Sequence, residues 1–133
     1  MIEYRKRITR QMLRDEPEKV FVFGDNLERR GLGGQAREMR GEPNAVGIPT
    51  KRSPSMAEGS FFTDADLDTF QGETGSAFAK LAGHLRRGGT IVWPEDGIGT
   101  GLADLRRRAP KVWSNLGRAK AWLEDIDARV QKQ

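Results

Sequence analysis

Val20-Phe21-Val22-Phe23 runs straight into Gly24-Asp25-Asn26-Leu27-Glu28-Arg29-Arg30-Gly31-Leu32-Gly33-Gly34-Gln35-Ala36, and this passage from unbroken apolar residues to a glycine-rich turn sets the fold class. An apolar run without alternation marks a strand covered on both faces, as in a parallel or mixed sheet. The same order returns at Thr90-Ile91-Val92-Trp93-Pro94, which leads into Glu95-Asp96-Gly97-Ile98-Gly99-Thr100-Gly101-Leu102. A helix-like segment follows each turn. A strand end, a glycine turn and a helix N-terminus bring unpaired N–H groups and a positive dipole end together, which is where anions bind. The two loops therefore point to a phosphate-containing ligand held mainly by backbone amides.

Working outward, Ile2 to Ile8 reads as a short edge strand, and Thr9 caps a helical turn through Leu13 that Pro17 ends. Gly33 to Arg40 has helical composition and stops at Gly41; Ala45 to Ile48 reads as a second central strand closed by Pro49. Thr50 to Gly59 has neither period and reads as a surface loop. Phe61-Phe62 and Thr63-Asp64 read as a strand stub and a helix cap, with Leu67 and Phe70 in a short helix. Phe78, Leu81, Ala82 and Leu85 share a helix face that ends at Gly88-Gly89, and Ile91 to Trp93 is a third central strand. Val112, Leu116, Ala119, Leu123 and Ile126 line one face of a terminal helix that begins near Pro110. Strands alternating with helices predict a single α/β domain over residues 1–133: a three-layer α/β/α sandwich with a mixed, mostly parallel central sheet. Its ligand belongs at the carboxyl ends of the strands, where both loops emerge.

Composition limits the function classes. A chain of 133 residues builds one core, and its 16 glycines fall largely in two clusters that are loops rather than low-complexity sequence. The net charge of +4 attracts anions without choosing among nucleotides, nucleic acid and acidic proteins. The absence of cysteine excludes disulfides, thiolate nucleophiles and zinc–thiolate sites, and fits a reducing compartment. Met1 to Arg7 lacks the apolar stretch of a secretory signal, and no run reaches membrane-spanning length, so a cytoplasmic protein with no membrane partner is expected.

Within the first loop, Gly31, Gly33 and Gly34 permit positive φ and close backbone approach to a ligand, although the same cluster also serves a tight structural turn. The spacing is neither G-x-G-x-x-G nor a P-loop. Asp25 and Asn26 stand at the strand end, placed to bond ribose hydroxyls, or in the case of Asp25 to orient a water; an Asx turn that only shapes the loop is the plainer alternative. In the second loop the amides of Gly97-Ile98-Gly99-Thr100-Gly101 can surround a phosphate while Thr100 adds a hydroxyl. Glu95 and Asp96 oppose an anion there unless they point away or bind hydroxyls. Lys51 and Arg52 are within loop reach of a phosphate, or are simply solvated charges. Asp64, Asp66 and Asp68 imitate a calcium loop but lack its glycine and its glutamate, and no metal site is expected. His84 reads as structural, and the tryptophans Trp93, Trp113 and Trp122 as packing residues with Trp93 bordering the site. Arg106 to Arg108 reads as a solvated helix face.

The two loops together resemble the macro domain family, including the compact macro-like proteins of phage and bacterial genomes. Asn26, Gly31, Gly33, Gly34 and Ala36 follow the order of the family's first motif, and Pro94, Gly97, Ile98, Gly99, Thr100, Gly101 and Leu102 that of its second. The resemblance implies binding of ADP-ribose, or an ADP-ribosylated macromolecule, with no separate cofactor. The second loop would wrap the diphosphate, while Asn26 and the first loop through Gln35 surround the distal ribose, with Gly24, Thr50 and Lys51 nearby. Some family members hydrolyse ADP-ribosyl linkages or the phosphate ester, which would give Asn26 a substrate-positioning role and Asp25 a water-orienting one. The chain departs from the family at Lys6-Arg7-Ile8-Thr9, which lacks the aspartate that reads adenine, and at Leu102-Ala103, which replaces an aromatic. A non-catalytic module that sequesters or reads a nucleotide, as in phage counter-defence, has the same pocket. A nucleic-acid module rests on charge alone.

Overall fold

Strand β2 (Val20–Asn26) is apolar from Val20 to Phe23 because that stretch is covered on both sides, and it ends in the buried polar pair Asp25 and Asn26. Phe21 and Phe23 pack with Ile8, Leu13, Ala36 and Met39, whereas Val22 packs into the larger cluster with Phe70, Leu81, Leu116 and Leu123. Strand β4 (Ile91–Pro94) repeats the pattern, with Val92 in the first cluster and Ile91 and Trp93 in the second.

The computed structural model describes residues 1–133 and adds β1 (Ile2–Arg5), α1 (Arg10–Asp15), α2 (Ala36–Met39), β3 (Ala45–Lys51), α3 (Leu67–Arg86), α4 (Leu105–Arg108) and α5 (Pro110–Gln131). The protein is thus α/β, with one four-stranded sheet in the order β1-β4-β2-β3. Every strand pair is parallel, so the expected mixed sheet is not found; the antiparallel contact is an isolated bridge between Lys51 and Phe61. No helix is long and apolar enough to cross a membrane.

Local signals act as the sequence predicts at α1, where the Thr9 hydroxyl accepts the Met12 N–H at 3.4 Å, and at α5, which opens with Pro110. Elsewhere packing overrides them. β3 is an edge strand, not a central one, and continues through Pro49 to Lys51; an edge is where proline is tolerated in a sheet. The register slips between Asp25, opposite Pro49, and Asn26, opposite Lys51. The two helical segments expected around Phe70 and Phe78 are one helix, α3, running through Gly72 and Gly75. Burying Phe70, Phe78, Leu81 and Leu85 along its face outweighs a glycine penalty of about 1 kcal/mol each. The helix expected from Gly33 shrinks to Ala36–Met39, because Gly34 has a left-handed φ of 57°.

The sheet order has one consequence for function. Val20 pairs with Ile91 and Phe21 with Val92, so the strands that launch the two glycine loops are neighbours although about 70 residues separate them along the chain.

Candidate functional site

Both glycine loops open onto one cleft of about 390 Å³ at the carboxyl ends of the strands. The residues that the resemblance placed around the ligand all line it: Gly24, Asp25, Asn26, Gly31, Gly33, Gly34, Gln35, Thr50, Lys51 and Gly97 to Leu102. Lys6 beyond β1, Arg30, Arg40 and Met56 line it too, and sequence reasoning missed them. The loops meet at Gly24, where a Cβ would stand 3.6 Å from the Gly99 nitrogen and 3.5 Å from the Thr50 hydroxyl.

The backbone N–H groups of Arg30 through Gln35, and of Ile98 through Ala103, donate to no acceptor within the protein. Loop shape explains this. Gly31, at φ 95°, leaves its absent Cβ 2.9 Å from Pro54, and Gly99, at φ 74°, leaves it 3.0 Å from Leu105, so both turns are closed to other residues. Gly33, Gly34 and Gly101 face open space. The expected helix dipoles contribute little: α2 and α4 each span only 4 residues, so the attraction for an anion comes from the loop amides themselves.

Asp25 has a different task from the one expected. Its buried carboxylate accepts Arg40 Nη2 at 2.5 Å, Arg40 Nη1 at 3.3 Å, Arg29 Nη1 at 3.4 Å and the Asn26 N–H at 2.8 Å. A carboxylate has about four lone-pair sites. With all of them taken, none remains to orient a water, and Asp25 serves instead as the anchor of the first loop. Arg40 completes the anchor by donating to the carbonyls of Gly31 at 2.8 Å and Arg30 at 3.3 Å while its guanidinium lies over Phe23. Gly47 makes room for the carboxylate, since a Cβ there would stand 2.6 Å from Asp25 Oδ2. Nothing in local spacing links Asp25 to Gly47 or Arg40; only the β2–β3 register and the return of the chain after α2 bring them together.

Asn26 donates through Nδ2 to the Arg30 carbonyl at 2.7 Å, but its Oδ1 is buried without a donor, and so is Gln35 Oε1. The cleft thus combines two runs of free amide donors with the side chains of Asn26 and Gln35, each of which also holds a buried oxygen that has no donor inside the protein.

The remaining candidates divide clearly. Thr50 donates to the Asp25 carbonyl at 3.3 Å. Lys51 Nζ donates to the Ser55 carbonyl at 2.7 Å and sits 4.5 Å above the Phe61 ring; burial, with Arg108 nearby, lowers its pKa. Arg52 lies outside the cleft, paired with Asp66 at 2.6 Å, while Asp64 accepts the Lys111 N–H at 2.9 Å, so those carboxylates tie the segment before α3 to the loop after β3 and to the first turn of α5. Asp96 borders the cleft and Glu95 does not. His84 Nε2 bonds the Thr90 carbonyl at 3.1 Å, a structural role. Trp93 is buried but lies outside this cleft, and Trp122 is exposed beneath Arg86. Arg106 to Arg108 is not a uniform solvated face: Arg107 pairs with Asp104, and Arg108 lies 3.7 Å over Phe61 and pairs with Glu58 at 2.9 Å.

Fold and site together define a parallel α/β protein with a glycine-loop cleft at the carboxyl edge of its sheet. Residues 3–119 match a family of unknown function, DUF7831, and the chain belongs to that family. No curated protein and no solved structure matches it.

Proposed function

We propose that this protein binds ADP-ribose or a related NAD-derived nucleotide in the cleft between its two glycine loops. The diphosphate lies on the amides of Ile98 to Gly101, and the distal ribose lies beside Asn26, Gly31 and Gln35. One observation carries the reading: free amide donors from both loops line a single cleft, together with the polar side chains of Asn26 and Gln35. Amides suit phosphate oxygens, and the amide side chains of Asn26 and Gln35 beside them suit sugar hydroxyls. Packing of helices against apolar residues from both faces of the sheet supports a three-layer, macro-like arrangement within the same proposal. A cytoplasmic setting belongs to it as well.

Binding without turnover is favoured over hydrolysis by the state of Asp25, whose acceptor sites are all occupied. If hydrolysis does occur, Asn26 positions the substrate and the loop amides stabilise developing charge. Calorimetry with ADP-ribose tests the binding claim, and a folded protein that shows no heat at millimolar ligand overturns it. Release of ADP-ribose from a modified protein, compared between the parent and Asn26→Ala, tests turnover.

A further inference from the structure

The cleft runs along the carboxyl edge of the sheet from β1, where Lys6 lines it, to β3, where Thr50 and Lys51 do. Four cationic side chains line it, and three are engaged within the protein: Arg30 with Glu28, Arg40 with Asp25, and Lys51 with the Ser55 carbonyl. Lys6 is exposed and makes neither a hydrogen bond nor an ion pair. Of the two carboxylates in the lining, Asp25 is saturated, whereas Asp96 is exposed and accepts from no group of the protein. These two free charges stand at the same end. The pairing of β1 with β4 closes with Arg5 opposite Pro94, and the Glu95 N–H then donates to the Arg5 carbonyl at 2.9 Å, which carries the chain at Asp96 past the end of β1, where Lys6 emerges.

We propose that this end of the cleft holds the ribose that carries the base, with Asp96 accepting from its 2′- and 3′-hydroxyls; the inference rests on the nucleotide reading above. Order along the sheet edge supports it. With the diphosphate on Ile98 to Gly101 and the distal ribose beside Asn26, the unfilled stretch lies toward β1, two strand spacings or about 10 Å from β2. Nothing walls it off, since Lys6 and Asp96 line the same cavity as the loop amides. The chemistry agrees. A carboxylate beside bound phosphates repels them unless it accepts from hydroxyls, and a vicinal diol offers two O–H donors to its two oxygens in charge-assisted bonds. An acidic side chain serves the ribose 2′-hydroxyl in the same way at the strand ends of dinucleotide-binding folds. Lys6 offsets the charge of Asp96 and donates to the nearer phosphate.

Calorimetry with two probes tests the assignment: ADP-ribose, and the analogue whose base-bearing ribose lacks its 2′-hydroxyl. The parent is expected to bind the analogue roughly tenfold more weakly, the worth of one charge-assisted hydrogen bond. Asp96→Ala should bind both probes alike, no more tightly than the parent binds the analogue. A parent that does not distinguish the probes, or an Asp96→Ala variant that still does, overturns the subsite while leaving the phosphate cleft standing. Failure of the parent to bind either probe overturns the nucleotide reading, and the subsite with it. Asp96 bonds nothing in the protein, so the variant should melt with the parent; a lowered melting temperature would contradict its free state and the assignment built on it. Lys6→Gln should weaken both probes by the same factor, because they share the phosphate, and unchanged affinities would remove Lys6 from the site.

Discussion

Arg40→Met would remove a guanidinium while keeping an aliphatic side chain over Phe23. In the parent, Arg40 holds both oxygens of a carboxylate whose side chain is 3% exposed, and it also bonds the carbonyls of Gly31 and Arg30. After the substitution Asp25 keeps only Arg29, at 3.4 Å, and the Asn26 N–H. Removing one partner of a buried pair costs about 3–5 kcal/mol; the 20% exposure of Arg40 and the surviving Arg29 place the loss near the lower end, at about 3 kcal/mol. With a urea slope of about 2 kcal/mol/M, the unfolding midpoint should fall by about 1.5 M. Binding of ADP-ribose should weaken further than this loss explains in protein that is still folded, because the first loop loses its tie to Asp25. The double variant Asp25→Asn/Arg40→Met, which leaves no buried charge unpaired because Arg29 is 42% exposed, should recover about 1–2 kcal/mol by the same reasoning. A single-variant midpoint within about 0.3 M of the parent would refute the claim that Asp25 is a buried anchor.

Gly33→Ala meets open space and should leave the melting temperature unchanged while weakening ADP-ribose binding; Gly99→Ala, at φ 74° and 3.0 Å from Leu105, should cost about 1–2 kcal/mol of stability as well. Paired calorimetry and thermal melts separate the two, and identical melts for both variants would contradict the loop geometry. Gly47→Ala drives a methyl to 2.6 Å from Asp25 Oδ2 and 3.0 Å from Phe23, an overpacking expected to cost about 1–3 kcal/mol and read as a lower urea midpoint. Hydrogen bonds from Arg5 and Lys19 hold the Glu16 carboxyl down at about 2, against an ordinary 4.5. Its contribution to stability is therefore present above pH 4.5 and lost as the pH falls from there towards 2, so Glu16→Gln should flatten the acid limb of the stability profile over that window. An unaltered acid limb in the variant would assign that limb to other carboxylates.

The site was legible as two separate halves. Gly31, Gly33, Gly34 and the run from Gly97 to Gly101 announce themselves because strand, glycine turn and helix signals follow one another within a short stretch. Asn26 was readable as a strand-end polar residue. The roles of Asp25, Arg40 and Gly47 were not, because they depend on contacts made across β2, β3 and the loop that follows α2. The meeting of Lys6 and Asp96 at one end of the cleft was hidden for the same reason: they follow β1 and β4, which become neighbours only when the sheet forms.

Apolar runs, the cap at Thr9, Pro110 at a helix start and glycine at the turns fixed the α/β class and the amide-rich loops, because these signals act on backbone conformation and on one-sided or two-sided burial within a few residues. Tertiary structure decided that β4 inserts between β1 and β2, that β3 ends up at an edge, and that the Asp25 carboxylate is saturated by arginines. Strand order and buried ion pairing are settled by packing between segments far apart in the chain, and periodicity along any one segment carries no record of its neighbour.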